Sequence, residues 1–157
     1  MFIGLVLTQV LIFNHIQFSG FVNPYIYLLF VLLLPLNSPR YAVLILAFLM
    51  GITIDIFSNS LGIHAFATVF VAYFRPIVIR VISSREEDMS DYPGLMQNKI
   101  GWFLSYVTIM VVMHHFVLFY LEVFTFSNFF GTLARVFFSS VFSIFAIVLS
   151  QFIVFRD

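Results

Sequence analysis

Asp55, His64, Glu122 and Arg135 interrupt runs of apolar residues, and an ionisable group in such surroundings needs a partner. A carboxylate in a lipid-embedded segment is costly unless it faces protein or water, which makes Asp55 the first candidate site. It lies in GITIDIFSNSLGIHAFA, Gly51 to Ala67. There Ala47, Gly51 and Asp55 recur at spacings of four, so one helix face offers two small residues for close backbone approach and then the acid. Arg135 belongs to a similar stripe: Gly131, Arg135, Ser139, Ser143, Ala146 and Ser150 recur at four and three.

Other constellations carry less chemistry. His114 and His115 invite a metal, but adjacent helical residues diverge by about 100° and cannot both ligate one ion, so each histidine, like His15 and His64, reads better as a hydrogen-bonding group across helices. No serine sits in a Gly-x-Ser-x-Gly elbow, and Asp55 with His64 spans a turn without an identifiable nucleophile, which leaves an intramembrane hydrolase or acyltransferase unsupported. No metal, cofactor or catalytic residue is expected. Arg75 and Arg80 lie low in their apolar run, where they snorkel to the cytoplasmic edge or, as the alternative, meet an anion; that edge could also dock acidic lipids or an acidic partner.

The elements that position these residues follow from composition. The 157 residues are 62% hydrophobic and 9% charged, with a mean hydropathy of +1.11, far from a soluble domain at roughly 25% charged. The chain therefore reads as an all-α, polytopic membrane protein in one domain, residues 1–157. No apolar run has the leader and cleavage site of a removable signal peptide, so the first span is expected to be retained. The absence of cysteine removes disulfides, thiolate nucleophiles and cysteine-ligated metals, and a formal net charge of +0 argues against nucleic acid as a partner.

Apolar runs measured against the roughly 20 residues that cross a bilayer give six spans, at about 1–13, 21–36, 41–57, 61–82, 100–124 and 129–155. Asn37-Ser38-Pro39 ends the second, because proline disfavours helix at the residue before it. Ser58-Asn59-Ser60 is a tight uncharged turn. Ser83 to Lys99 is the one long hydrophilic stretch; Arg85, Glu86, Glu87, Asp88 and Asp91 make it a solvated loop, in which Ser84 and Glu87 form a weak capping pattern. Arg40, Arg80, Arg85, Lys99 and Arg156 all fall in or beside the even-numbered connections and the C-terminal tail, which places both termini in the cytoplasm.

That orientation gathers Asp55, His64, Glu122 and Arg135 at the non-cytoplasmic end. Arg135 enters its span about six residues from the start, roughly 9 Å deep at the helical rise, and leans outward while Asp55 leans inward. The expectation is an Asp55–Arg135 ion pair, with Glu122 as the competing acid. Its alternative is an Arg135 that snorkels to the headgroups and an Asp55 in interfacial water. Gly51, Gly62, His64, Ser139 and Ser143 are expected to line a cavity or receive a partner.

At Gly51-x-x-x-Asp55, followed by Ser58, Leu61-Gly62 and His64-Ala65, the chain resembles the MreD family of bacterial rod shape-determining membrane proteins. The specific pieces cover about fifteen residues; size and span number agree along the rest. The resemblance implies a non-enzymatic component of the rod (elongation) complex in the bacterial inner membrane. It would bind the scaffold MreC and, through the complex, MreB filaments, the elongation glycosyltransferase and its penicillin-binding transpeptidase. It also implies the fold of the substrate-binding subunits of energy-coupling-factor vitamin transporters, and hence a vitamin-binding subunit as the alternative function. The acidic fourth connection departs from the family pattern.

Overall fold

The chain is described by a computed structural model over residues 1–16, 21–83, 91–124 and 128–154. The charged cluster Arg85 to Asp88, the Ser84–Glu87 pattern, Thr125 and Arg156 lie outside the described residues. The elements in order are α1 (Phe2–Leu11), a 3-10 turn (Phe13–His15), α2 (Leu29–Leu32), α3 (Arg40–Ser58), α4 (Ile63–Ile82), α5 (Ile100–Val123) and α6 (Phe129–Val154), with no strand among the described residues. Among the described residues, only α3 to α6 are long and apolar enough to cross a membrane. They pack in chain order, α3 on α4, α4 on α5 and α5 on α6, with α1 against α3.

Local chemistry explains the boundaries of the long helices. Pro39, extended at its own position, precedes α3, where its missing N–H is no loss. Asn59 ends α3 in the left-handed region (φ 53°), which asparagine tolerates better than most residues, and Gly62 (φ 82°) turns the chain into α4. The two helices then run back along one another almost backbone on backbone. A Cβ at Gly51 would lie 2.4 Å from the Cα of Ala65, so only glycine fits there.

Of the six expected spans, four are membrane-length helices among the described residues, and the two in the N-terminal third are not. α1 has 10 residues, about 15 Å at the helical rise, or half of a roughly 30 Å hydrocarbon core. The expected second span at 21–36 is not a helix: it runs without regular structure to Ile26, forms only the single turn of α2, and leaves it at Leu33. It is nevertheless a crossing of the bundle. Asn23 and Tyr25 lie beside the α3–α4 turn, whereas Leu36 and Ser38 lie beside the start of α3 and the lower part of α4. Six extended residues at roughly 3.3 Å and seven more at roughly 1.5 Å cover about 30 Å, enough for that passage.

This crossing strand of chain is the core of the molecule. Tyr25, Tyr27, Phe30, Val31 and Leu34 pack with Val43, Ala47, Met50 and Ile54 of α3 on one side. Ile26, Leu28, Leu29 and Leu32 pack with Trp102, Phe103, Tyr106, Val107 and Met110 of α5 on the other. Irregular backbone survives at membrane depth only where protein covers it and supplies its hydrogen bonds, and here side chains do so. Ser139 Oγ accepts from the Asn23 N–H (3.0 Å) and Ser143 Oγ from the Tyr25 N–H (2.8 Å). Two extended residues advance roughly 6.6 Å and four helical ones roughly 6 Å, so serines spaced by four on α6 match alternate amides of the extended stretch.

Gln9 of α1 completes the arrangement. Its Oε1 accepts from the N–H of Ile26 (2.8 Å) and of Tyr27 (3.4 Å), while its Nε2 donates to the Pro24 carbonyl (3.2 Å) and to Asn14 Oδ1 (3.0 Å). At the other end, the Tyr106 hydroxyl donates to the Leu32 carbonyl (3.1 Å) and Arg75 Nη2 to the Leu34 carbonyl. These are the acceptors left over where α2 stops after one turn.

Candidate functional site

Asp55 sits in the last turn of α3, buried, with its carboxylate aimed at the start of α4. Oδ1 accepts from the His64 N–H (3.0 Å) and from Ser60 Oγ (2.5 Å), and Oδ2 accepts from the Ala65 N–H (2.8 Å). Gly62, the N-cap of α4, has no side chain to satisfy these orphan donors, and Asp55 does so from the preceding helix. A negative charge is also favourable at a helix N-terminus. Asp55 is thus the cap of α4, which answers how the acid is tolerated in an apolar segment.

His64 Nδ1 lies 3.1 Å from Asp55 Oδ1 and 3.0 Å from Ser60 Oγ, while its Nε2 is buried and has no partner among the described residues. A nucleophile–base–acid relay needs the hydroxyl and the carboxylate on opposite nitrogens of the imidazole. Here both occupy the same nitrogen. Ser60, His64 and Asp55 therefore do not form that relay.

The expected Asp55–Arg135 pair is not formed; Arg135 pairs with the competing acid, Glu122. Nη1 lies 3.1 Å from Oε2 and Nη2 3.2 Å from Oε1, a parallel two-point contact between α6 and the last turn of α5. The guanidinium also stacks over the Phe119 ring at 4.2 Å. The physical reason is proximity along the chain: Glu122 and Arg135 are brought together by the α5–α6 hairpin itself, whereas Asp55 is already saturated by the first turn of α4.

His114 and His115 diverge as adjacent helical residues must. His114 Nε2 meets the Tyr27 hydroxyl (2.7 Å), and His115 Nε2 meets Ser143 Oγ (3.0 Å) while its Nδ1 faces the Val111 carbonyl (2.8 Å). With Nδ1–H donating to Val111, the Ser143 hydroxyl donates to Nε2 and still accepts from the Tyr25 amide, so one relay joins α5, α6 and the crossing segment.

Around these groups opens a cavity of about 710 Å³ at the α3–α4 turn. Gln9, Asn14, His15, Asn23, Ser58, Asn59, Ser60, His64 and Glu122 give it a polar lining, with Phe13, Tyr25, Phe57, Leu61 and Leu118 among its apolar walls. Of the residues expected to line a cavity or receive a partner, His64 does line it. Gly51 instead faces the α4 backbone, Gly62 makes the turn, and Ser139 and Ser143 are buried against the chain's own crossing segment. Arg80 is exposed, as expected at a helix edge, but Arg75 is buried. Gln9, Ser60 and Tyr106 were not singled out from the sequence. Gln9 is a lone long amide in an apolar run, and that was the available signal.

The fold and its polar interior define a multi-pass membrane protein with four membrane-length helices wrapped around an internal extended crossing. Compared with known proteins, the chain matches no protein-family model, no curated protein and no solved structure.

Proposed function

We propose that this chain is a non-enzymatic membrane component of the bacterial cell-shape complex, with both termini cytoplasmic, its cavity open to the periplasm and MreC as the direct partner. MreB, the elongation glycosyltransferase and the penicillin-binding transpeptidase join through the complex. The reading starts from the resemblance carried by Gly51-x-x-x-Asp55 and Leu61-Gly62-x-His64-Ala65. The observation that carries it is the mouth of the cavity. Asn14, Asn23 and Asn59 share its lining there with Phe57 and Leu61, and Leu61 is 99% exposed. Hydrogen-bonding groups beside an exposed apolar anchor suit a segment of protein, which brings both backbone and side chains.

A second reading, the substrate-binding subunit of a vitamin transporter, is favoured by the cavity's size. About 710 Å³ falls within the range of roughly 300–1,000 Å³ usual for small-molecule sites. The test is co-purification from native membranes in mild detergent, with photo-crosslinkers at Asn59 and Asn128. Recovery of MreC and the wall-synthesis enzymes crosslinked at Asn59 is the expected result. Recovery of a paired ATPase with its coupling membrane subunit, or of a bound vitamin, would replace the first reading with the second.

A further inference from the structure

A second cavity, of about 280 Å³, lies at the opposite end of the α3–α4 pair. Arg75, Arg40 and Ser38 face it, and Val43, Leu44 and Ile79 make its apolar walls. Arg75 is the unusual member, a cation only 5% exposed. A guanidinium has five N–H groups. Nε donates to the Tyr106 hydroxyl (3.0 Å) and Nη2 to the Leu34 carbonyl, both neutral acceptors. Among the described residues no carboxylate pairs with it, and a buried charge without a counter-charge is strongly unfavourable in a membrane protein.

Proline adds a complementary group. Pro76 has no N–H, so the carbonyl of Ala72 one turn back loses its helical donor, and both residues line this cavity. The site thus offers a buried cation, an exposed cation at its rim and a freed acceptor. Beside it, Tyr41 and Ile45 of α3 and Tyr73 and Ile77 of α4 are exposed apolar residues on helices of membrane length. Arg75 stands seven residues before the end of α4, about 10 Å along the helix, within reach of the headgroup layer for a side chain of its length.

We propose that the Arg75 cavity binds the phosphodiester of an anionic glycerophospholipid whose headgroup carries a hydroxyl donor. The phosphate lies between Arg75 and Arg40, the headgroup hydroxyl donates to the Ala72 carbonyl, and the acyl chains lie along Tyr41, Ile45 and Ile77. The membrane-facing apolar flank favours a lipid over a soluble anion.

Native mass spectrometry of the purified full chain, loaded with phosphatidylglycerol or with phosphatidylcholine, tests this. Phosphatidylglycerol is expected to be retained about tenfold better, an advantage of the size one good charge contact gives. Arg40→Gln should cut that preference about fivefold, since a surface arginine contributes about 1 kcal/mol to anionic lipid binding, while Arg80→Gln leaves it unchanged. Arg75→Gln should abolish it. Arg75 also braces Tyr106 and Leu34, so Arg40→Gln, which touches neither, decides the matter if the Arg75 variant fails to fold. Equal retention of both lipids, or a tenfold preference left undiminished by Arg40→Gln, overturns the proposal. So does displacement of the lipid by millimolar inorganic phosphate, which would identify a soluble-anion site.

Discussion

Ser143 Oγ lies 2.8 Å from the backbone nitrogen of Tyr25, and its hydroxyl is within 3.0 Å of His115 Nε2. One small side chain on the last helix therefore serves an amide in the first fifth of the chain and an imidazole on α5. Ser143→Ala strands both. The expected loss is about 1–3 kcal/mol of unfolding free energy in micelles, the penalty for an unsatisfied buried polar group. Ser150→Ala, which loses only a local bond to the Ile147 carbonyl, should be close to neutral. Equal effects of the two would remove the special role of the α6 serines.

Gln9 gives a second test of the same architecture. Gln9→Leu keeps the volume but leaves the Pro24 carbonyl and the Ile26 amide unpaired, and should cost about 2 kcal/mol or more. Thr8→Val on the same helix loses only the bond to the Gly4 carbonyl and should have little effect. Thermal midpoints of the two variants in one detergent are the comparison.

The two hairpins are closed by separate charges, and a double-mutant cycle can separate them. Asp55→Ala removes the cap of α4 and should lower stability by about 1 kcal/mol or somewhat more. Combined with Arg135→Leu the effects should add within about 0.5 kcal/mol, since the two groups share no partner. Glu122→Gln with Arg135→Leu should instead show coupling, of about 0.2–1 kcal/mol because Glu122 is 43% exposed. Coupling between Asp55 and Arg135 as large as that between Glu122 and Arg135 would contradict the geometry.

Gly51→Ala places a methyl against the backbone of Ala65 and His64, where nothing flexible can yield. It should destabilise the α3–α4 pair by about 1–3 kcal/mol. Gly101→Ala meets open space in a helix and should be neutral or stabilising by about 0.5–1 kcal/mol. A denaturant titration of both variants in micelles checks the contrast.

The four long helices were legible because apolar runs ended at unambiguous breakers. α3 to α6 lie within about two residues of the expected limits, at Arg40–Ser58, Ile63–Ile82, Ile100–Val123 and Phe129–Val154. The run from Phe21 to Leu36 was misread for a physical reason: apolarity reports that a segment is buried, not which backbone form it takes. The deciding information lay elsewhere in the chain, in Gln9, Ser139, Ser143 and Tyr106, whose polar groups take the place of helical hydrogen bonds. Asp55 was legible as a special residue but not in its partner, because Gly62, expected to line a cavity or receive a partner, is instead an N-cap without a side chain.

The bonds from Asn23 to Ser139 and from Tyr25 to Ser143 join residues 116 and 118 positions apart. A ribosome making this chain delivers the crossing segment long before the helix that completes it. Until α6 arrives, those amides have no serine to meet, and the nascent segment must stay in water, stay in the insertion channel or close its own helical bonds. The native path through the bundle is therefore among the last features to form. Chains that stop short of Phe129 lack the serines that satisfy the backbone of the crossing segment, and so leave polar groups unmet at membrane depth.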